Sequence, residues 1–562
     1  MLKQSMCAVA LAAVCLHATA SPLPRLEPRG DATQLIVDGK PYLVLGGEVH
    51  NSSASSAEYM APIWPRLKQM NLNTVLSTVT WDMVEPEEGR FDFASLDSQL
   101  HAARAQGLRL VVIWFGAYKN ARSTYAPGWV RRDTGRFVRA ATNGAKPEFM
   151  SYPGAMPNPV LSPFSPQLQA AERRAFGAML AHLKAVDPDH TVIMLQVDNE
   201  VGLLGDSRDR SRLAQAAWDT QVPPRLMDYL VRHRATLRPE LLAVWGRQQF
   251  RRSGTWEQVF GKDAQAEEIF MAWAYGSYVQ GVAQAADKEL PLPMFVNAWL
   301  GPQPGQPQPG DYPSGGPVAR MMDVWKAAAP SIAVLAPDIY VDDVKGTLAD
   351  FQRADNPVFV PESRFKTVNI FRAIGAHKAL GWSIFGIEDL FPGKQLAQAY
   401  DILGSMADVV LRAQARGSLH TVLLDGTGPV TADLGGYTMT VRGMTAQLKK
   451  MMLDAGLTSP APGASGAGDA GAAPARKDPT SFGFVIPGGP DEFFLVGQDF
   501  IVDFARSGRL AEIDVVEEGR FRDGQWIPGR RLNGDERVML LPAQGIGVIR
   551  VKLLEAGPSS PH

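Results

Sequence analysis

Short apolar runs and amphipathic helix patterns alternate along the chain from Asp31 to about residue 415. The apolar runs have the length of strands that are buried on both faces of a parallel sheet. The helix patterns between them supply the crossovers that parallel strands require. This alternation predicts an α/β fold, and the number of runs predicts a (β/α)8 TIM barrel over residues 31–415.

Eight apolar runs are predicted as barrel strands, joined by helices with recognisable ends. One helix is predicted over Ser95–Gln106 and ends at Gly107, and another begins at Pro166 with Ser165 as its cap. About ninety residues of mostly helical pattern follow Glu200, which is typical of a segment that shapes substrate access. The predicted strands are Tyr42–Leu45, Asn73–Thr80, Leu108–Phe115, Ile193–Val197, Met294–Ala298, Ile332–Ile339, Pro357–Pro361 and Ala379–Phe385.

A different pattern begins near Ser418, where short alternating runs are separated by Gly, Asp and Pro turns. Alternation with period two predicts a C-terminal antiparallel β-sandwich domain over residues 418–556. Residues 455–478 interrupt this domain with Ala, Gly, Pro and Ser, a composition expected to be disordered. Gly466–Gly471 matches a dinucleotide-binding pattern but follows no predicted strand, so no cofactor is expected. No His or Asp cluster has the spacing of a metal site.

The first 20 residues have the composition of a secretory signal peptide. Lys3 supplies a positive start, Met6–Leu16 an apolar stretch and Ala18–Ala20 a small-residue cleavage site. Both cysteines, Cys7 and Cys15, lie inside this stretch, so the mature chain is expected to have no disulfide. The net charge of −2, with no basic block, argues against nucleic acid or an anionic membrane as a partner. We expect an exported protein, periplasmic or extracellular, without a membrane anchor.

Two glutamates end predicted barrel strands, Glu200 the fourth and Glu362 the seventh. Barrel enzymes keep their chemistry at the carboxyl ends of the strands, and retaining glycosidases need one acid and one nucleophile there. Either glutamate alone is more simply explained as the start of a solvated loop, whereas the pair favours catalysis. Glu200 is the predicted acid/base and Glu362 the predicted nucleophile. Because these strand ends face each other, we expect a carboxylate separation of about 5–5.5 Å.

Two neighbouring side chains have both a catalytic and a structural explanation. Asn199 is placed to hydrogen-bond the 2-hydroxyl of a sugar, or to cap the turn that follows its strand. Tyr340 is placed to donate to Glu362 and keep it charged, or to pack at its strand end with a wet hydroxyl.

Several motifs together resemble glycoside hydrolase family 35, and the resemblance covers about Leu35 to Phe391. That family contains retaining β-galactosidases built on a clan A barrel, and Gly489–Phe493 lies in a region similar to the β module of a bacterial branch. The resemblance implies that Glu200 is the acid/base, Glu362 the nucleophile and Asn199 a substrate ligand. The motifs are Gly46–His50, Asn73–Val75, Glu85-Pro86, Phe91–Phe93 and Gln196–Glu200.

The chain departs from this family at two places. Thr78 stands where better-known members have a tyrosine, and Asn120-Ala121-Arg122 stands where they have Cys-Ala-Glu. An arginine in place of an acceptor carboxylate changes what that subsite binds. Another clan A enzyme, such as a β-glucosidase or a family 42-like enzyme, and a catalytically inactive carbohydrate-binding barrel therefore stay open as alternatives.

The expected activity is that of a retaining exo-β-galactosidase on terminal β-D-galactosides. Plant cell-wall oligosaccharides such as xyloglucan fragments are the expected source, by analogy alone. The side chains expected to contact the sugar are Glu48, Asn120, Asn199, Tyr340, Trp382 and Glu388.

Overall fold

An antiparallel sheet precedes the barrel in the computed structural model, which describes residues 22–143, 160–425, 428–457, 478–522, 524–537 and 541–554. Its strands are β1 (Arg25–Arg29), β2 (Ala32–Val37) and β3 (Lys40–Tyr42). The sequence predicts that Tyr42 begins the first barrel strand. In the structure it belongs to this antiparallel sheet instead. The expected export signal, and residues 458–477 of the segment expected to be disordered, lie outside the described residues.

Parallel strands form the wall of a barrel. They are β4 (Val44–Glu48), β5 (Thr74–Thr80), β6 (Arg109–Lys119), β7 (Val192–Asn199), β8 (Met294–Ala298), β9 (Val334–Pro337) and β10 (Gly381–Phe385). Their hydrogen-bonded order is β10-β4-β5-β6-β7-β8-β9, so the first and last barrel strands are neighbours. β6 runs four residues beyond the predicted end of its strand at Phe115, which brings Lys119 to the top of the barrel.

Residues 357–363 close the gap between β9 and β10 without forming a regular strand. Single parallel bridges hold them on both sides, joining Ile339 to Ser363 and Val360 to Trp382. Pro357 and Pro361 lack amide hydrogens, so a continuous ladder cannot form here. The predicted seventh strand therefore takes its place in the barrel with an interrupted ladder.

Side chains on the barrel strands alternate between an inner core and an outer core beneath the helices. Val44 and Leu76 belong to the inner core, whereas Leu45 and Val75 belong to the outer core. Gly46 lies on the inner face, where a Cβ atom would come within 2.1 Å of a serine hydroxyl on β10. The first and last strands approach this closely because β4 has no side chain at that point.

Helices cover the barrel, and several lie in the long excursion that follows β7. Ser165 caps α6 by accepting from the Leu168 amide, and Gly107 ends α4 in a left-handed conformation, both as predicted. The helices up to β7 are α1 (Ala57–Met60), α2 (Ile63–Gln69), α3 (Trp81–Val84), α4 (Ala94–Gln106), α5 (Gly128–Arg132) and α6 (Pro166–Val186). The excursion contains α7 (Arg212–Trp218), α8 (Pro224–Arg232), α9 (Pro239–Arg247), α10 (Trp256–Phe260) and α11 (Ala264–Glu289). Then follow α12 (Met322–Ala328), α13 (Val344–Phe351), α14 (Thr367–Ala376), α15 (Lys394–Ser405) and α16 (Ala407–Arg416).

Two antiparallel sheets form the C-terminal domain around a core of their own. The strands are β11 (His420–Leu424), β12 (Val430–Leu434), β13 (Tyr437–Gly443), β14 (Ser481–Gly489), β15 (Glu492–Gln498), β16 (Phe500–Arg506), β17 (Arg509–Leu510), β18 (Ile513–Arg522), β19 (Gln525–Arg531) and β20 (Gly547–Leu553), with α17 (Met444–Asp454) between β13 and β14. The orders are β11-β14-β15-β20-β18-β19 and β12-β13-β16-β17. The predicted fold class, a TIM barrel followed by an antiparallel β domain, is confirmed. None of the described helices combines the length and the apolar composition that crossing a bilayer demands.

The sandwich packs directly on the barrel through α14. The Phe371 ring lies 5.3 Å from that of Phe482 and 4.8 Å from that of Phe484, both on β14. Phe482 and Phe484 belong to the same apolar cluster as the outer core of the barrel. The two domains therefore share one continuous hydrophobic core along this face.

Removing the Phe371 ring should destabilise both domains together. Truncating a fully buried phenylalanine typically costs about 3–5 kcal/mol, since it leaves a cavity between packed elements. We expect Phe371→Ala to lower the midpoint of thermal unfolding in calorimetry, with barrel and sandwich still melting in one transition. Tyr59→Ala, at a half-exposed position on α1, is the control and should change the midpoint little. A Phe371→Ala protein that melts with the wild type would contradict the shared core.

Candidate active site

Side chains from several strand ends converge on a cavity of about 420 Å³ at the carboxyl end of the barrel. Glu200 follows β7, Tyr340 follows β9, and Glu362 lies in the segment that closes the barrel. Asn120, just beyond β6, also lines this cavity. The structure therefore brings together four of the residues singled out from the sequence, at the face where barrel enzymes keep their active sites.

Glu362 is surrounded by hydrogen-bond donors. Its Oε1 accepts from Asn199 Nδ2 at 3.2 Å and from Asn297 Nδ2 at 3.3 Å. Its Oε2 accepts from the Tyr340 hydroxyl at 2.9 Å. Three donors suit an ionised carboxylate, which is the form that a nucleophile requires.

The environment of Glu200 favours the protonated form, unlike that of Glu362. Its side chain is buried, and burial together with the charge of Glu362 raises its pKa to about 7. The positive charge of Lys119 acts in the other direction. Its backbone has a φ of +43°, a left-handed conformation held by a bond from its amide to Asn297 Oδ1 at 2.9 Å. A carboxyl that keeps its proton near neutral pH is suited to general acid catalysis.

Lys119 is a member of the site that the sequence did not single out. Its Nζ donates to Asn199 Oδ1 at 2.8 Å and lies 5.0 Å from the centroid of the Phe115 ring. Asn199 therefore links the lysine to Glu362, since its Nδ2 is the donor to that carboxylate. The available signal was a lysine shortly after an apolar run, but the strand was predicted to end at Phe115. Only the longer β6 places the amine among the carboxylates.

Asn297 and Asp338 were also missed. Asn297 lies inside β8, and Asp338 follows β9 directly. Asn297 Nδ2 donates to Asp338 Oδ2 at 2.7 Å, and Asp338 lines the cavity. The signal for both was a polar residue at the end of a buried apolar run, within β8 for Asn297 and directly after β9 for Asp338.

Several buried oxygens beside the cavity have no hydrogen-bond partner among the described residues. They include both carboxyl oxygens of Glu48 and the Oδ1 atoms of Asn51 and Asn120. Burial raises the pKa of Glu48 well above its ordinary value of 4.5, and the charge of Glu362 adds to this effect. Buried polar atoms are normally paired, so unpaired ones at an enzyme cavity are open to the hydroxyl groups of a ligand.

Two residues expected to contact the sugar lie elsewhere. Trp382 is fully buried in the outer core, at the same level as Leu45, so its ring faces the helices and not the cavity. That expectation is corrected: the inner face of β10 carries Phe385 instead, which lines the cavity. Glu388 accepts from the His50 amide at 3.0 Å and from the Ser53 hydroxyl at 2.6 Å, so it anchors the loop after β4.

The two departures from family 35 also have defined places. The Thr78 hydroxyl donates to the Asn51 carbonyl at 3.0 Å and so supports the loop that lines the cavity. Arg122 pairs its backbone with Lys119 in a tight antiparallel bridge, and its side chain is not part of the cavity lining. The arginine therefore does not replace an acceptor carboxylate within the cavity itself.

Parts of the chain are similar to known proteins. Residues 54–253 match a family model described as "Beta-galactosidase" (glycoside hydrolase 42), and residues 396–542 match a domain of unknown function (DUF5597). A β-galactosidase of Xanthomonas manihotis is 35% identical over 19% of this chain and 18% of its own length. β-Galactosidase 11 of Arabidopsis thaliana is 34% identical over 19% of this chain and 13% of its own length. The chain thus spans less than a fifth of these curated relatives.

Two solved structures are also similar to part of the chain. The β-galactosidase from Rahnella sp. R3 is 17% identical, with a TM-score of 0.43, over 66% of this chain and 57% of that one. The β-galactosidase from Bacillus circulans sp. alkalophilus is 13% identical, with a TM-score of 0.44 and the same coverage. The comparisons support similarity to β-galactosidases, while the finer assignment to family 35 stays a prediction.

The buried Glu48 carboxyl should make the protein less stable as the pH rises. Its folded pKa lies above its ordinary value of 4.5, so its contribution to stability is full below about pH 4.5 and is lost as the pH rises through the folded value. Glu48→Gln removes the ionisation. We expect the unfolding midpoint of the variant, relative to the wild type, to rise between pH 5 and pH 8. Glu87→Gln, in an exposed pair with Arg90, is the control and should show no such trend.

Proposed function

We propose that the protein is a glycoside hydrolase, a retaining β-galactosidase that releases terminal β-D-galactose by double displacement. The observation that carries the proposal is the contrast between its two facing glutamates. Glu200 is buried with a pKa of about 7, whereas Glu362 receives hydrogen bonds from three donors. Paired carboxyls whose surroundings separate their protonation states in this way are suited to the acid and nucleophile roles.

In the first step, a carboxylate oxygen of Glu362 attacks the anomeric carbon, and the bond from that carbon to the leaving oxygen breaks. The proton of Glu200 passes to the leaving oxygen, so the aglycone departs as a neutral alcohol. In the second step, the Glu200 carboxylate takes a proton from water, and the water oxygen attacks the anomeric carbon. The ester bond to Glu362 then breaks and the carboxylate returns. The two attacks come from opposite faces of the sugar ring and each inverts the anomeric carbon, so the configuration is retained overall.

The polar lining supports a sugar as the ligand. Asn51 and Asn120, which line the cavity, offer unpaired oxygens that match the hydroxyl donors of a hexose, and Glu48 is buried beside them with both oxygens unpaired. Trp299, which is half-buried, also lines the cavity, where an aromatic face suits a sugar ring.

Galactose is the glycone we propose, because the matched relatives and the matched family model are β-galactosidases. Plant cell-wall oligosaccharides such as xyloglucan fragments are the proposed natural source, by analogy. The composition of residues 1–20 supports export to the periplasm or the exterior.

Trapping the glycosyl-enzyme tests the nucleophile and the glycone together. A 2-deoxy-2-fluoro-β-galactoside with a good leaving group should slow both steps, so that the ester accumulates on Glu362. Mass spectrometry of the digested protein should find the added sugar on the peptide with Pro361-Glu362-Ser363. The corresponding glucoside should label far more slowly, because an epimer leaves buried polar groups unpaired. Glu362→Gly is the control and should take up no label.

Label on another residue, or an inverted first product, would overturn the assignment of Glu362. Faster labelling by the glucoside would overturn galactose as the glycone while leaving the mechanism intact.

Glu200→Ala should retain the nucleophile and lose the acid/base. We expect substrates with very good leaving groups to form the glycosyl-enzyme, which then turns over slowly, and azide to restore turnover as a β-glycosyl azide. In the wild type, kcat/KM should fall above about pH 7, because the acid must be protonated. The alanine variant should lose that alkaline limb. Unchanged activity with poor leaving groups would reject Glu200 as the acid.

A further inference from the structure

A third carboxyl group, that of Asp338, lies beside the two catalytic glutamates. It comes directly after β9, is almost fully buried and lines the same cavity. Its Oδ2 accepts a hydrogen bond from Asn297 Nδ2 at 2.7 Å. Its Oδ1 is buried and has no donor among the described residues. Oδ2 is thus held by an amide, whereas Oδ1 is available to another group.

The Asn297 side chain contacts all three of these residues, two through their carboxyl groups and Glu200 through its backbone amide. Its Nδ2 donates to Asp338 Oδ2 and, at 3.3 Å, to Glu362 Oε1. Its Oδ1 accepts from the backbone amide of Glu200 at 2.9 Å and from Gln196 Nε2 at 3.1 Å. Both ends of the amide are therefore engaged, so its orientation is determined and Asp338 must present an acceptor at Oδ2.

Asp338 and Glu200 line the same cavity, and the Asn297 side chain holds both, through Oδ2 of Asp338 and the backbone amide of Glu200. Two carboxylates cannot hydrogen-bond unless one of them carries a proton. Oδ2 of Asp338 is already an acceptor, so Oδ1 is the atom that would carry it. Glu200 then accepts, and the contact lowers the pKa of Glu200 against the effect of its burial.

The charges that face Asp338 also favour its neutral form. Burial raises its pKa well above the ordinary 3.8, and the carboxyls of Glu362, Glu200 and Glu48 add to the rise. Lys119 is the cation that opposes them. Within the part of the chain that the structure describes, the Lys119 ammonium lies among these four carboxyls, and keeping protons on some of the acids relieves the remaining repulsion.

We propose that Asp338 is a positioning residue that keeps its proton throughout the catalytic cycle and donates it as a hydrogen bond from Oδ1 to Glu200. The inference rests on the proposed function of Glu200 as acid/base. When Glu200 has given its proton to the leaving group, the Asp338 hydroxyl stabilises the carboxylate that remains. Asp338 never transfers its proton, so no additional proton enters or leaves the reaction.

Two substitutions of Asp338 separate a neutral donor from a negative charge. Asp338→Asn keeps a donor facing Glu200 and an acceptor facing Asn297, whereas Asp338→Leu fills the space without either. If Asp338 is protonated, the alkaline limb of kcat/KM should stay in place for the asparagine variant and move to higher pH for the leucine variant. If Asp338 is ionised, both variants remove a negative charge. The alkaline limb should then move to lower pH in both of them, and that result would overturn the proposal.

Asp342→Asn, at an exposed position four residues further along, is the matched control and should leave the limb unchanged. A second measurement needs no turnover and so separates this proposal from the proposed function. Infrared difference spectra between wild type and Asp338→Asn above pH 7 should show a protonated-carboxyl stretching band that only the wild type contributes. Absence of that band would refute the proton on Asp338 even if the protein hydrolyses no glycoside. The spectra also decide the question if the leucine variant does not fold.

Discussion

Repulsion among the carboxyl groups of Glu48, Glu200, Asp338 and Glu362 is the constraint around which this barrel is built. All four are buried within one strand-end cluster, with the Lys119 ammonium as the cation among them. Such a cluster persists only if each charge is paired or neutralised, because an isolated buried charge is costly. The amides and the tyrosine hydroxyl around Glu362 stabilise one negative charge, while burial holds protons on its neighbours. The difference between the two glutamates therefore arises from the strands that surround them.

The apolar runs predicted the barrel and the strand ends that line its cavity, because buried parallel strands leave a strong signal in the sequence. Glu200 and Glu362 were found for the same reason, since each interrupts such a run at its carboxyl end. Lys119 was missed because β6 continues past the point where its apolar run stops. Asn297 and Asp338 were missed because a single polar residue within a strand does not reveal which face it occupies.

Trp382 was wrongly expected in the cavity for the same reason that Asn297 was missed: the sequence does not show which face of a strand a residue occupies. Successive side chains of a strand point to opposite faces, so an error of one residue moves a ring from the cavity into the outer core. The register of β10 against β4 determines which face Trp382 occupies. That register depends on the contact between Gly46 and Ser383, which are far apart in the sequence, so no local sequence pattern predicts it. The first barrel strand was predicted to begin too early, because the sequence between Lys40 and Glu48 divides between two sheets.

The contact between α14 and the sandwich limits where the gene for this protein could be cut or fused. α14 begins at Thr367, only a few residues after Glu362, and its Phe371 ring packs on β14. A shortened coding sequence that stops after α16 would leave that aromatic face in water, on the helix that follows Glu362 along the chain. Recombination between relatives should therefore succeed when the barrel and the sandwich are inherited as one block. Swapping the sandwich for an unrelated carbohydrate-binding module would remove the rings that pack on Phe371, and so would disturb the helix that follows the Glu362 segment.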